Sequence, residues 1–546
     1  MTDVSVPERR LSSWIRRIRP IHLAPVLAFV ALSAWAFASP VGASPDDDYH
    51  LVSIWCSGDG SAQCTPGTTD SSREVATGFR DAFCFVTSAE TSAGCQQAAL
   101  ENWDASSYET NRGNFAGEYP PVYYGFMHLF AGSDLQLSVL TMRIVNVAMF
   151  VGIATLLGAL LPRSRRRALL WGWLVTLVPL GMFIVASNNP SAWAIMGVGT
   201  AFLALLGWFE TSGRRSWALG GLYLLGVLLA SGARGDAAVY AAGASVTAVI
   251  LSASKDRGFA IKAILPVIGM LISVVFFVNS GQAGVGATGF TSDGTGLGIP
   301  HPSDAETGDG AQLGGFALAA YNLLMLPFLL TGVWGSWALG WLDTGMPAVV
   351  TWAGAAAFIA VGFAGVGRLT GRKAFATGGV LVVLIGLPVY VLTMGGDTVG
   401  DNLQPRYLLP VIVLFAFLLV SEARGVDTMR LTRVQTFTVL AALGLANLVA
   451  LQIDIRRYVT GVDRQGFNLD ADAEWWWNGL PFGPTALWLI GALAYVMLLA
   501  TVAPTLLRPR TSGVAKTPAE TSVVLFESVP APQSTEEVSG RELVSS

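Results

Sequence analysis

The sequence predicts an all-α integral membrane protein, a polytopic helical bundle with about twelve full spans and one further re-entrant or broken element. Apolar residues make up 52% of the 546 residues and charged residues only 13%, whereas a soluble domain has about 25% charged residues. Apolar runs of roughly 20 residues, the length that an α-helix needs to cross a bilayer, recur along the chain. Short clusters of Arg and Lys separate alternate runs, as the positive-inside rule expects of cytoplasmic loops.

The predicted full spans follow these apolar runs in chain order. They cover residues 21–40, 136–161, 168–186, 191–209, 217–233, 237–253, 259–279, 346–365, 376–395, 406–421, 434–452 and 485–506. Five arginines within residues 1–20 indicate a basic cytoplasmic N-terminus, and residues 21–506 form the membrane domain. Residues 507–546 are rich in Ser, Thr, Pro and Glu and are predicted to be a disordered cytoplasmic tail. The acidic loop at 280–313 is expected outside.

The first apolar run also fits a signal peptide, because a basic segment precedes it and small residues follow it at Ala36-Phe37-Ala38-Ser39. Its apolar core is about 17 residues long, whereas a signal peptide usually has 7–15. An uncleaved anchor is therefore favoured, and the later topology is the same in both cases.

Residues 315–344 are apolar, but one crossing there would invert every later loop. Pro327 and the tryptophans Trp334, Trp337 and Trp341 predict a broken or re-entrant element that returns to the outer side. Two short spans satisfy the rule equally well.

All four cysteines, Cys56, Cys64, Cys84 and Cys95, fall in the polar segment 41–135. Structural disulfides persist in oxidising compartments, so this segment is predicted to be an extracytoplasmic loop. Three pairings of four cysteines are possible. Cys56–Cys64 and Cys84–Cys95 are favoured because each closes a short loop.

Polar side chains from five parts of the chain are predicted to meet at the outer membrane face. A charged side chain within a span costs about 2.5–3.5 kcal/mol on insertion scales, which favours paired or functional roles. The candidates are Asp46, Asp47 and His50 after the first span, Arg143 in the second, Asn188 and Asn189 after the third, Arg234 and Asp236 between the fifth and sixth, and Arg406 at the start of the tenth.

Taken singly, each candidate also has a structural interpretation. These are a solvated acidic run at Asp46–Asp48, a mutual ion pair for Arg234 and Asp236, snorkelling for Arg143, an interfacial anchor for Arg406 and a turn at Asn188-Asn189-Pro190. Aromatic residues at Tyr119–Tyr124 and at Trp475–Trp477 are expected in the interfacial belt, and the tryptophans also fit a sugar-stacking face. The convergence on one face is the stronger indication.

Several function classes are excluded or disfavoured. The sequence has no Walker A loop, HExxH motif or nucleophile elbow, and no basic stripe typical of nucleic-acid binding. With only four histidines, a His-rich metal site is not expected. Asp46, Asp47 and His50 have donor types that bind a divalent cation, but nothing in the sequence requires one.

Four short motifs, in their order and spacing, resemble the bacterial domain-of-unknown-function family 2142. They are Pro45-Asp46-Asp47-x-x-His50, Tyr119-Pro120-Pro121-x-Tyr123-Tyr124, Gly340-Trp341-Leu342-Asp343 and Gln404-Pro405-Arg406-Tyr407. The resemblance covers roughly residues 20–505. That family resembles the GT-C class of polytopic glycosyltransferases, which use polyprenyl-phosphate sugars at the outer face. The resemblance implies that Asp46 or Asp47 is the catalytic acid or base. A third acid, Asp48, and the long Cys-bearing insertion depart from the family pattern.

Residues and resemblance together predict a multi-pass glycosyltransferase of the bacterial plasma membrane, with both termini cytoplasmic. It would transfer a sugar from a polyprenyl phosphate to an envelope glycan or protein. A carboxylate would accept the proton of the acceptor hydroxyl, and arginines would stabilise the departing phosphate. The predicted substrate-binding residues are His50, Tyr123, Arg143, Arg234, Asp236 and Arg406. The alternatives are an envelope lipid or polysaccharide flippase, which needs polar groups along a path through the bilayer, and a non-catalytic assembly partner.

Overall fold

The computed structural model describes residues 20–58, 61–86, 88–283, 315–367, 369–421, 429, 431–477 and 481–507. The basic N-terminus, most of the loop at 280–313 and the C-terminal tail, which were assigned from composition, lie outside the described residues.

The described chain is mainly helical. Its helices are α1 (Ala24–Ala38), α2 (Asp47–Trp55), α3 (Gly78–Asp81), α4 (Gln97–Glu101), α5 (Pro121–His128), α6 (Leu135–Leu160), α7 (Arg163–Leu177), α8 (Leu180–Val185), α9 (Ser191–Glu210), α10 (Gly213–Ala233), α11 (Gly235–Ser252), α12 (Arg257–Lys262), α13 (Ile264–Val278), α14 (Gly315–Thr331), α15 (Ala348–Gly365), α16 (Gly371–Gly395), α17 (Pro405–Val420), α18 (Arg433–Val459) and α19 (Pro484–Leu506). Short 3-10 turns occur at Pro20–Leu23, Ala93–Gln96, Gly281–Ala283 and Gly332–Trp334.

Within this part of the chain, 11 helical segments are long and apolar enough to cross a membrane. Ten of the predicted spans coincide with them. The predicted span at 168–186 is interrupted instead, because α7 ends at Leu177 and α8 begins after Pro179; a proline inside a helix removes one backbone hydrogen bond and can kink or break it. The predicted span at 406–421 is α17, an apolar helix of only 16 residues. A polytopic helical membrane protein is therefore confirmed.

The helix in the segment 315–344 ends at a different residue from the one predicted. Helix α14 continues through Pro327, which helices in membranes tolerate, and the chain turns only after Thr331. The Asn322 side chain contacts the loop before α17, donating to the carbonyl of Asp397 at 3.0 Å. At the other end, Trp334 Nε1 donates to the Val175 carbonyl near the end of α7, at 2.9 Å. The first contact is to a loop that was predicted to face outward, and the second lies within the predicted span at 168–186.

Helix α9 forms the centre of the bundle and packs against α10, α11 and α17. Its contact with α10 is close because glycines face each other there. A Cβ at Gly197 would lie 2.5 Å from the Ala230 nitrogen, and small residues of this kind allow helix backbones to approach in membranes. This packing brings the loop before α9 and the turn after α10 to the same end of the bundle.

The basic loops predicted to be cytoplasmic gather at the opposite end. Arg165 pairs with Glu210 at 2.6 Å, Lys262 donates to the Trp208 carbonyl at 2.7 Å, and Lys373 reaches the end of α17. The two ends of the bundle are thus chemically distinct, as the loop charges predicted. Which end faces the cytoplasm stays a prediction.

The segment between α1 and α6 folds into a small module. A three-stranded antiparallel sheet contains β1 (Cys64–Pro66), β2 (Arg73–Ala76) and β3 (Ser107–Thr110) in that order. Both expected disulfides, Cys56–Cys64 and Cys84–Cys95, are present.

Candidate functional site

The loop from α1 to α2 places Asp46 at the end of the bundle that was predicted to face outward. Asp46 has φ of 60°, a left-handed conformation that non-glycine residues adopt rarely and that is often found at functional sites. The preceding peptide is held from two sides. Asn189 Nδ2 donates to the Pro45 carbonyl at 2.9 Å and Arg406 donates to it at 3.2 Å. The orientation of Asp46 is therefore fixed by residues distant in sequence.

Two arginines bind the Asp46 carboxylate. Arg406, almost fully buried, contacts Oδ2, and Arg112 lies 3.5 Å from Oδ1. The Asp46 side chain itself is 32% exposed. Burial acts to raise the pKa of Asp46, but the Arg406 charge, with His50 and Arg112, outweighs it and lowers the pKa to about 2. Asp46 is therefore an accessible carboxylate that is ionised near neutral pH.

Tyrosine rings separate the arginines around Asp46. The Arg234 guanidinium lies 5.5 Å from the Tyr119 ring and 4.5 Å from the Tyr407 ring, whose other neighbour is Arg406 at 4.9 Å. Such distances give cation–π attraction. We call the whole arrangement the arginine–tyrosine ladder; its members in order are Arg112, Tyr49, Tyr119, Arg234, Tyr407 and Arg406.

The ion pair between Arg234 and Asp236 is present. Two parallel hydrogen bonds of 2.9 Å join the guanidinium to the carboxylate, a geometry that fixes orientation as well as charge. Arg234 also belongs to the ladder, so this pairing orients a cation that shares the Tyr407 ring with Arg406. The structure thus brings together the predicted residues Asp46, Arg234, Asp236 and Arg406.

Asp47 lies behind Asp46 and is fully buried. Its Oδ2 accepts a hydrogen bond from the Ser44 N–H at 3.1 Å and is 3.8 Å from Arg143. Burial raises the pKa of Asp47 to about 7 despite this arginine. Arg143 donates to the carbonyls of Ala36 and Pro40, at 3.3 and 2.8 Å. It therefore satisfies carbonyls at the end of α1, and it neither snorkels nor faces solvent.

The other two predicted binding residues also lie beneath the surface. His50 Nδ1 is 2.9 Å from the Tyr124 hydroxyl, and burial lowers the pKa of His50 to about 3, so its ring is neutral near pH 7. The Tyr123 ring packs 5.2 Å from the Trp193 ring and is fully buried. Neither side chain is accessible to a substrate in this conformation, so their role in binding stays a prediction that the structure does not favour.

Asn189 was a candidate for the outer-face cluster, with a turn as its structural interpretation, and it also holds the Asp46 loop. Sequence reasoning gave no site role to Tyr119, Tyr407 or Arg112. Tyr119 and Tyr407 were quoted only as parts of motifs, although each is adjacent to a predicted site segment. Arg112 has no local signal, because only the tertiary fold brings its polar loop to Asp46.

Two of the tryptophans at 475–477 are not exposed as a sugar-stacking face would require. Trp476 and Trp477 are buried, and Trp477 Nε1 donates to the Phe37 carbonyl at 2.6 Å. They pack the end of α1 instead.

A divalent cation finds no prepared ligand set in the described residues. Among them, no group of three or more His, Cys, Asp or Glu side chains is arranged to hold a metal ion. Of the three donors considered from the sequence, Asp46 is bound by arginines and Asp47 and His50 are buried.

Comparison with known proteins identifies a family. The family described as "Predicted membrane protein (DUF2142)" matches residues 29–415. Among solved structures, the chain is similar to the crystal structure of ArnT from Cupriavidus metallidurans in the apo state, with 13% sequence identity and a TM-score of 0.35, over 91% of this chain and 78% of that one. A TM-score this low does not establish a shared fold. No curated protein matches the chain.

Proposed function

This chain belongs to the DUF2142 family of predicted membrane proteins, and from that premise we propose that it is a membrane glycosyltransferase with Asp46 as general base. It would transfer a sugar from a polyprenyl-phosphate donor to a cell-envelope acceptor at the outer face. The observation that supports this most is the position of one accessible, ionised carboxylate within the arginine–tyrosine ladder. A base for the acceptor and cations for a phosphate are thus adjacent.

Accessibility favours Asp46 over Asp47 as the base. The Asp46 side chain is 32% exposed, whereas Asp47 is fully buried and bound to the Ser44 N–H. An acceptor hydroxyl has to approach within hydrogen-bond distance of its base. Asp47 is therefore a positioning residue, which links the α1–α2 loop to Arg143.

The proposed reaction conserves charge within the site. Asp46 accepts the proton of the acceptor hydroxyl while the acceptor oxygen bonds to the anomeric carbon of the donor sugar. The bond from that carbon to the phosphate oxygen breaks, and its electron pair goes to the phosphate. The phosphodiester, which carries one negative charge, leaves as a lipid phosphate with two, and Asp46 becomes neutral.

Arg406 can interact both with Asp46, which loses its negative charge, and with the departing phosphate, which gains one. Before reaction its charge is balanced by Asp46. When Asp46 takes up the proton, the Arg406 charge becomes available to the phosphate at the moment its second negative charge forms. A donor phosphate beside Arg406 would also weaken the Asp46 pair and raise the low pKa of Asp46, which makes it a stronger base when donor is bound.

The test is sugar transfer in membrane vesicles supplied with a series of radiolabelled polyprenyl-phosphate sugars. We expect transfer by the wild type and a fall of about 10²–10⁴-fold in Asp46→Asn, the usual contribution of a general base. The matched control is Asp81→Asn, another carboxylate of the same module that pairs with an arginine. Unaltered transfer by Asp46→Asn would refute the base. Lipid translocation without transfer would support a flippase instead.

A further inference from the structure

Arg112 and Asp48 bind each other. Arg112 belongs to the insertion between the first two spans, and Asp48 is the third acid after Asp46 and Asp47. The Arg112 Nε contacts Asp48 Oδ2, and the Arg112 Nη2 donates to Asp48 Oδ1 at 2.9 Å. The same Nη2 atom is 3.5 Å from Asp46 Oδ1. The insertion therefore reaches the base directly.

The position of Arg112 is built into the module. Asn114, two residues later, donates its backbone N–H to Ser53 Oγ at 2.8 Å and its side chain to the Tyr119 carbonyl at 2.9 Å. The Arg112 guanidinium lies 6.0 Å from the Tyr49 ring. These contacts fix the loop to α2 and to the ladder, so Arg112 is held in place rather than extended into solvent.

The two oxygens of Asp46 face different environments. Oδ2 contacts Arg406, whose side chain is 2% exposed, whereas Oδ1 faces Arg112, whose side chain is 35% exposed. A hydroxyl arriving from solvent therefore reaches Asp46 on the Arg112 side. Arg112 is anchored mainly by Asp48, at 2.9 Å, so Oδ1 can exchange its longer contact for a hydroxyl while Arg112 stays in place.

We infer that Arg112 and Asp48 form an acceptor subsite for a sugar diol, an inference that rests on the proposed transferase activity. The reacting hydroxyl would donate to Asp46 Oδ1. The neighbouring hydroxyl would accept from the exposed side of the Arg112 guanidinium and donate to Asp48, which is 22% exposed. A glycan acceptor with two adjacent hydroxyls can bind both Asp46 and the Arg112–Asp48 pair. An acceptor with a single hydroxyl can bind Asp46 but makes no hydrogen bond with the Arg112–Asp48 pair.

The experiment compares two acceptors in vesicles supplied with labelled polyprenyl-phosphate sugar. One acceptor is an alkyl glycoside, and the other is its deoxy analogue, which lacks the hydroxyl beside the reacting one. We expect Arg112→Gln to raise KM for the glycoside about ten-fold or more, the effect of losing one hydrogen bond to a charged group. KM for the deoxy analogue and KM for the donor should change less than two-fold. Arg112→Lys should restore part of the loss, because it keeps the charge but not the fork.

Arg80→Gln is the matched control. Arg80 pairs with Asp81 at 2.8 Å and lies 5.0 Å from the Tyr108 ring. Like Arg112, it is an arginine of this module that contacts one aspartate and one tyrosine ring. An equal rise of KM for both acceptors in Arg112→Gln, or a parallel rise of KM for the donor, would show a structural role and overturn the subsite. Unchanged KM values would overturn it as well. Absence of any donor turnover by the wild type, either to glycoside or to free sugar, would instead refute the proposed function.

Discussion

Replacing Asp47 by asparagine is expected to change how stability depends on pH. The pKa of Asp47 rises from an ordinary value of 3.8 to about 7 in the folded protein because the side chain is buried. The folded state therefore keeps this proton between about pH 4 and 7, where the unfolded chain releases it. A shift of about three pKa units corresponds to roughly 4 kcal/mol. The contribution of Asp47 thus disfavours folding increasingly as pH rises through that window.

His50, which lies on the same helix, acts in the opposite direction. Burial lowers the pKa of His50 from 6.5 to about 3, so the unfolded chain binds a proton between about pH 3 and 6.5 that the folded protein does not. Its contribution to stability is therefore lost as pH falls through that range. Between about pH 4 and 6.5 the pH dependences of the two contributions cancel, because folding takes up one proton at Asp47 and releases one at His50. Asp46 does not interfere, because its lowered pKa places its effect below about pH 4.

Thermal unfolding in detergent micelles at several pH values tests this balance. Asp47→Asn keeps the shape of the side chain and an acceptor for the Ser44 N–H, but it has no proton to exchange. Relative to wild type, its stability should rise by roughly 4 kcal/mol between about pH 4 and 7. His50→Gln should show the opposite trend relative to wild type. If the difference between Asp47→Asn and wild type is independent of pH, the burial argument is wrong.

Three further outcomes are expected. Arg406→Ala and Arg234→Ala should raise KM for a polyprenyl-phosphate donor, and Lys should restore only part of the loss because it lacks the bidentate fork; equal rescue by Lys would contradict the bidentate role. A cysteine introduced at residues 163–167, on a background without the native cysteines, should react with an impermeant thiol reagent only after the membrane is opened; labelling of intact cells would overturn the topology. Peptide mapping without reduction should recover the Cys56–Cys64 and Cys84–Cys95 pairs, and four free thiols would contradict them.

The convergence of charges was predictable because it depends on helix ends. Once the apolar runs and the basic loops fix the order of crossings, Asp46, Arg234 and Arg406 must lie at the same end of the bundle. The difference between Asp46 and Asp47 was not predictable from the pattern. The difference arises because Asp46, which precedes the first residue of α2, has φ of 60°. This backbone conformation directs the adjacent Asp46 and Asp47 side chains into different environments.

Long-range contacts account for the other differences. Arg112 reaches Asp46 only because the sheet and the disulfides fold the insertion back onto α2, and no spacing in the sequence encodes that return. Likewise, Pro179 ends α7 within an apolar run that composition alone assigns to one continuous span. Composition determines where the chain enters the membrane, whereas tertiary packing decides which side chains remain accessible.

The contact between Arg143 and the end of α1 has a consequence for biogenesis. Carbonyls at the end of the first helix accept hydrogen bonds from the buried Arg143, which lies 103 positions after Pro40. During synthesis, the first helix therefore enters the membrane with these carbonyls still dependent on water. The Asp46 turn cannot take its final form until the second long helix has arrived beside it, and Arg406 follows only after most of the chain has been made. The site is thus assembled at the end of insertion, so an incompletely inserted chain would not yet present the complete set of groups to donor and acceptor.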